Sequence, residues 1–147
     1  MPPRHKGPKK IDKFCWARDF RPEKRAQFGT YELADPKNTF VATSGNRIVG
    51  IARFSIVNGK HVLTGISMMP EFRGHQSRDL LIKAVKARFD DHPEIGAVYG
   101  ISAKILSAGG REKLSRWFEM CGADPISHRH FTHRITRSKF FARYPPK

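Results

Sequence analysis

Cysteine is nearly missing from this chain of 147 residues, which carries only Cys15 and Cys121. Two thiols so far apart form neither a CxxC pair nor a disulfide framework, and they read as reduced thiols of a cytoplasmic protein. Long apolar runs are missing too, because charges interrupt every hydrophobic stretch before it reaches the length of a membrane span. The first ten residues, MPPRHKGPKK, lack the apolar block of a signal peptide. No Walker-type loop, no Ser-His-Asp signature and no zinc-spaced cysteine cluster is present, which sets those chemistries aside. Acidic residues are scarce: 13 Asp plus Glu face 28 Lys plus Arg, leaving a net charge of +15.

That charge exceeds what solubility requires and predicts an anionic partner. Nucleic acid is the foremost class; a phosphorylated cofactor, an acidic protein or a membrane surface would be attracted by the same field. A basic surface without a specific polyanion is the plain alternative. With 39% hydrophobic residues and 11 Phe, the chain has material for one core. Residues 1–10 are expected to form a disordered basic arm and residues 11–147 a single domain.

Along the chain, IDKFCWARDF alternates as a short strand, and RPEKRAQFGTYELADP reads as a polar helical connection ending at Asp35-Pro36. NTFVAT, RIVGIARFSIV and HVLTGISMM are β-rich runs separated by SGN and NGK, a signature of three antiparallel strands in a meander. From Ser77 the period becomes helical, with Leu81, Ala84, Val85 and Phe89 on one face. AVYGISAK reads as a buried strand and SAGGREKLSRWFEMCGA as a second helix stopped by Gly122. The tail DPISHRHFTHRITRSKF alternates and predicts one or two closing strands. The order implies an α/β (α+β) fold with a mixed, mostly antiparallel sheet flanked by helices.

The stretch PEFRGHQSRDLL, Pro70 to Leu81, turns a strand into a helix. Unpaired N–H groups and the positive end of the helix dipole meet at such a corner, which suits an anion. Arg73 and Arg78 add charge on either side of Gly74, where the backbone is open to close approach. The plain reading is an ordinary turn with Ser77 as helix N-cap.

The succession of elements and the run Pro70, Phe72, Arg73, Gly74, followed by Leu81 and Ile82, resembles the GNAT superfamily of acyl-CoA-dependent N-acyltransferases. RWFEMCGAD resembles that family's second helix. The resemblance implies an N-acyltransferase, an acetyltransferase by preference, using acetyl-CoA or another acyl-CoA. It implies that Arg73, Gly74, His75, Gln76, Ser77 and Arg78 hold the pyrophosphate, and that the pantetheine runs along Ser67, Met68 and Met69 with a backbone N–H near Met68 polarising the thioester. Two departures stand out. Gln76 and Arg78 replace family glycines, so side chains crowd the phosphate approach, and Phe118 replaces the tyrosine that protonates the leaving thiolate, a task phenylalanine cannot perform. A shorter similarity, HQSRDLL, is to the phage Mom-type DNA-modification branch, which adds DNA modification to the readings.

His75, Tyr99 and Ser67 are the candidate catalytic residues, with Glu71 as a further acid or base. Arg129, His130 and Arg134 are candidate nucleic-acid contacts, with Phe131 a stacking surface. On a strand His128 and His130 share one face and His133 the other, so no metal site is expected. The acceptor is expected to be linked to nucleic acid or another polyanion. The alternative is a non-catalytic nucleic-acid-binding protein on a degenerate scaffold.

Overall fold

The alternating stretches assemble into one sheet in the computed structural model, which describes residues 10–20, 27–28, 31–32, 35–45, 47–72, 75–100, 116, 118–126 and 131–145. Strands β1 (Lys13–Trp16), β4 (Thr39–Ser44), β5 (Arg47–Val57) and β6 (Lys60–Met68) pair antiparallel in that order. The order continues through β7 (Ala97–Gly100), β9 (His133–Thr136) and β8 (Asp124–Pro125). β7 is parallel to β6, and β9 is antiparallel to both of its neighbours. Asn58 and Gly59 both have positive φ, at 50° and 79°, which is the type I′ geometry whose twist matches a two-residue hairpin. The mixed, mostly antiparallel sheet is as expected.

One reading of the sequence is corrected and another extended. Within the polar connection before Pro36, the described residues form strands rather than helix: β2 (Gln27–Phe28) pairs with β3 (Tyr31–Glu32) and, in parallel, with β5 opposite Ile48. β5 extends past the end of β6 there, and its unpaired edge accepts the extra strand. The tail forms the two closing strands expected, β8 and β9, and its last residues depart from the alternation. After β9 it forms a helix, α2 (Arg137–Arg143), started by the Thr136 hydroxyl, which accepts from the Lys139 N–H. Phe140 in α2 is wholly buried, so tertiary burial overrides the alternating pattern.

Helix α1 (His75–Asp91) makes the crossover that a parallel β6–β7 pair requires. Gln76, Ser77, Leu80, Leu81, Ala84, Val85, Arg88 and Phe89 are its buried residues, a repeat of four along one face. They pack on Phe40, Val49, Phe54 and Leu63 in the main core. A smaller cluster of Ala17, Val41, Ile48 and Ile51 covers the opposite sheet face. Gly50 allows the close approach of α1, since a Cβ there would stand 2.8 Å from the Met68 sulfur and 3.1 Å from Leu80.

The C-terminal end of α1 is held by two arginines. Arg137 donates to the carbonyls of Phe89, His92 and Ile95 at 2.8–3.1 Å, satisfying groups that the helix end leaves orphaned. Arg88 is 1% exposed, and its guanidinium carbon lies 5.0 Å from the Phe54 ring and 5.7 Å from the Trp16 ring. Its Nε donates to His61 Nδ1 at 2.8 Å, which requires the neutral Nε2–H tautomer of His61. The His92 ring stands 4.6 Å away.

Burial, Arg88 and His92 all push the His61 pKa down, with only Glu94 opposing. Burial likewise pushes His133 down against the pull of Glu119. A histidine whose folded pKa is depressed supplies stability that is complete above its unfolded value of about 6.5 and is lost as pH falls through the folded value. The melting temperature of the wild type is therefore expected to drop on going from pH 7.5 to pH 5. In His61→Asn, whose amide oxygen accepts from Arg88 without titrating, the drop should be smaller. An equal drop in both proteins would refute the role of His61.

Candidate active site

The corner Pro70 to Phe72 is a tight 3-10 turn joining β6 to α1, with Phe72 buried beneath it. Gln76 is 8% exposed and turned inward: its Nε2 donates to the Phe72 carbonyl at 2.8 Å, and its Oε1 accepts from the Ile11 N–H at 3.1 Å. Glutamine at this position braces the turn against the start of the chain, which corrects the expectation that it crowds the phosphate approach. Ser77 is also buried and lies inside α1, whose first described residue is His75, so it is no N-cap. Arg78 is half-buried. Arg73 and Gly74 lie outside the described residues, as does the side chain of His75.

β6 changes character along its length. Its first half is sealed, with His61, Val62 and Leu63 at 8%, 0% and 1% exposure. Leu63 is also the last residue of β6 with a described partner in β7, opposite Gly100. The register to β5 then slips, Phe54 opposing Leu63 and Arg53 opposing Gly65, so that Thr64 is an extra bulged residue. Beyond the bulge Thr64 and Ser67 are exposed and Gly65 and Ile66 half-buried, although β6 is an interior strand of the sheet. Such exposure in the middle of a sheet marks an opening.

Backbone direction completes the geometry. The Met69 N–H donates to Val49 of β5 at 2.8 Å. Successive peptides of a strand point to opposite edges, so the N–H groups of Ile66 and Met68 are directed toward the β7 edge. The Ser67 side chain shares the face of its cross-strand partner Ile51, the face opposite α1. The open half of β6 thus carries Ser67, Met68 and Met69 to the corner, and the first turn of α1 carries Gln76, Ser77 and Arg78 from it, with the Ser67 side chain on the other face of the sheet. At the corner Arg47 lies 4.0 Å from Glu71.

Tyr99 is not brought to the same place. It opposes Val62, at the sealed half of β6, with its ring 5.2 Å from Phe131 and the Lys60 ammonium 5.8 Å from its centroid. Arg134 opposes Tyr99 on the next strand and is exposed. Arg129, His130 and His128 lie outside the described residues. His133 is buried on the α1 face, with Nδ1 2.9 Å from the Thr132 hydroxyl. Among the described residues no group of three or more His, Cys, Asp or Glu is placed to hold a metal.

Phe118 is wholly buried, its ring lying over Gly100 and 5.2 Å from the His133 ring. Its helical turn, residues 118–120, ends in a Schellman motif: Ala123 N–H bonds to the Phe118 carbonyl, Gly122 N–H to that of Glu119, and Gly122 has φ +85°. The stop at Gly122 is as expected. Two residues of the opening escaped the reading of the sequence, Gly65 and its cross-strand partner Arg53. A glycine inside the apolar run HVLTGISMM was the available signal, since glycine in a strand marks a bulge or an open approach.

No protein-family model matches the chain, and no curated protein matches it. Solved structures do. The spermidine/spermine N-acetyltransferase SpeG from Vibrio cholerae, in mutant forms, is similar with a TM-score of 0.52 at 19% identity, over 71% of this chain and 69% of that one. The Campylobacter jejuni N-acetyltransferase PseH, in complex with acetyl coenzyme A, has a TM-score of 0.50 at 13% identity, over 67% of each chain. The chain has the fold of the GNAT N-acetyltransferases.

A Cβ at residue 100 would stand 2.5–2.9 Å from three Phe118 ring carbons, both residues being fully enclosed. Gly100→Ala is expected to destabilise the protein by about 1–3 kcal/mol, as overpacking does. Adding Phe118→Leu should recover part of the loss, a coupling that a double-mutant cycle in urea measures; strict additivity would disprove the contact.

Proposed function

We propose that this protein is an acyl-CoA-dependent N-acyltransferase, an acetyltransferase in the first instance, whose acceptor amine is linked to nucleic acid or another polyanion. The observation that carries the reading is the interior strand β6, which opens at a bulge and leads through a tight corner into the N-terminus of the crossover helix. An opening of this kind admits an extended chain along the strand edge, while the helix start favours a charged phosphate end. The inward turn of Gln76 supports the fit, because its amide is engaged with Phe72 and Ile11 rather than extended over the start of α1.

In this reading the backbone edge at Ile66 to Met68 holds the acyl thioester and Ser67 borders it, with Met69 at the strand end. Arg78, half-buried on the first turn of α1, supplies charge toward the phosphates together with Arg73, and Gly74, His75 and Ser77 complete the corner. Acyl-CoA brings an activated carbonyl; the protein contributes position, fixed backbone dipoles and exclusion of water. Phe118 has no proton to give, so the leaving thiolate departs as the anion or takes a proton from Ser67 or His75, or through solvent. Tyr99 stands farther along β6, beside the sealed half, and is the weaker donor. The +15 charge supports a polyanion-linked acceptor, for which Arg129, His130 and Arg134, the basic arm of residues 1–10 and a nucleobase acceptor of the Mom type are the specific candidates.

Acetyl-CoA at 100 times its dissociation constant is expected to stabilise the wild type by about 2.7 kcal/mol, read as a rise in melting temperature. Arg78→Ala should reduce the affinity about tenfold, the loss of one charge-assisted hydrogen bond. No shift in the wild type would leave a basic binding protein on the same fold.

Binding of a generic duplex or RNA is expected to weaken steeply with salt as displaced counterions are recaptured, and removal of residues 1–10 should make the slope shallower. A salt-independent affinity would contradict the polyanion part of the proposal.

A further inference from the structure

The face of the sheet turned away from α1 carries a cation beside the opening. Arg53 shares this face with Ile51, two residues earlier on β5, and opposes Gly65 on β6. Arg53 is exposed, and no described carboxylate pairs with it. A Cβ at Gly65 would meet no described atom within 4 Å, so the described residues leave space over the strand next to the guanidinium. The position is fixed by the bulge, whose Thr64 hydroxyl donates to the Arg53 carbonyl at 3.3 Å. Exposed Ser67 continues the same face toward the corner.

Toward β9 this face carries further cations. Arg134 and Tyr99 stand in the row of Val62, and Lys60 reaches over the Tyr99 ring. Asp124, the acid opposite Arg134, is engaged with Lys139 at 2.7 Å. Among the described residues, an amine approaching the opening from this side meets net positive charge, which repels a polyamine and holds a phosphate.

We infer that the floor formed by Gly65 and Ser67, with Arg53 at its side, is an acceptor subsite that selects primary amines bearing a phosphate group. The inference rests on the acyltransferase reading and assigns the acceptor's chemical class. Transfer forms the amide C–N bond and breaks the thioester C–S bond, and one proton passes, net, from the amine to the departing thiolate. Arg53 binds the phosphate in this scheme and takes no proton. The phosphate belongs to a small aminoalkyl phosphate or to a nucleic-acid backbone, and one assay distinguishes them.

The test measures acetyl-CoA binding by calorimetry, and thiol release from acetyl-CoA with three acceptors: O-phosphoethanolamine, a single-stranded oligonucleotide carrying an aminoalkyl group, and spermidine. Wild type is expected to use at least one phosphate-bearing amine with a KM about tenfold or more below that for spermidine, the scale of one charge-assisted hydrogen bond. Preference for the oligonucleotide identifies the backbone phosphate, and preference for O-phosphoethanolamine a small substrate. Arg53→Glu, on the exposed surface, should leave acetyl-CoA affinity unchanged and invert the ranking. Gly65→Val, with a side chain suited to a strand, should raise the acceptor KM by filling the open space. A wild type that binds acetyl-CoA but prefers spermidine, or an Arg53→Glu protein with the same ranking, overturns the subsite while the acyltransferase reading stands. Failure of the wild type to bind acetyl-CoA overturns both.

Discussion

The parallel pairing of β6 with β7 is the constraint from which the rest of the molecule follows. Parallel neighbours cannot be joined by a hairpin, so the chain must leave the sheet at Met68, cross it as a helix and return at Ala97. The crossover sets the helix N-terminus at one end of the sheet and its C-terminus at the other. At the first end the 3-10 turn and Gln76 make the corner rigid; at the second, Arg88 and Arg137 anchor the helix. The described pairing is short, Val62 with Tyr99 and Leu63 with Gly100, and the bulge at Thr64 follows at once. An extra residue bends its strand and increases the local twist, so the same irregularity that ends the sealed half of β6 begins its open half.

Holding that geometry has an energetic cost, concentrated at the far end of α1. Arg88 is enclosed with one guanidinium nitrogen, Nη2, that has no described partner, and burial lowers its pKa, with Asp91 and Asp35 opposing. Two aromatic faces and a neutral imidazole replace the water it loses, each a weaker partner than a carboxylate. The apolar residues around it offset this. Leu80, Leu81, Val85 and Phe89 are fully enclosed, and each such side chain contributes about 1.5–3 kcal/mol. The corner at the other end is thus positioned by a well-packed helix, as a binding site requires.

Charge and shape point in the same direction. The fold shared with SpeG and PseH is a scaffold, and in the proposed reading acceptor choice falls to the side chains that line the opening. SpeG is a spermidine/spermine N-acetyltransferase. A chain with net charge +15 and Arg53 beside the open strand presents positive charge there, the basis of the acceptor class inferred above. Phe118, enclosed over Gly100, adds apolar packing where the family resemblance expects a phenol.

Local chemistry in the sequence determined the parts that depend on neighbours along the chain. The type I′ turn at Asn58-Gly59 needs only residues that accept positive φ, the stop at Gly122 needs only a glycine, and the strand-to-helix switch after Pro70 is a change of period. The resemblance of that corner to GNAT proteins also lay in contiguous residues. Tertiary structure alone decided the rest, because distant partners set it. Gln76 looked like an obstacle until its amide was found engaged with Phe72 and Ile11. Nothing in the helical run singles out Arg88, yet Phe54, Trp16 and His61 enclose it. The strands in the polar connection exist because β5 outruns β6, and α2 exists because Phe140 finds the core. Arg53 and Gly65 are 12 positions apart in the numbering, and only the slipped register after the bulge sets them side by side at the opening. Pairing register is a cooperative property of two strands, which is why neither segment reveals it alone.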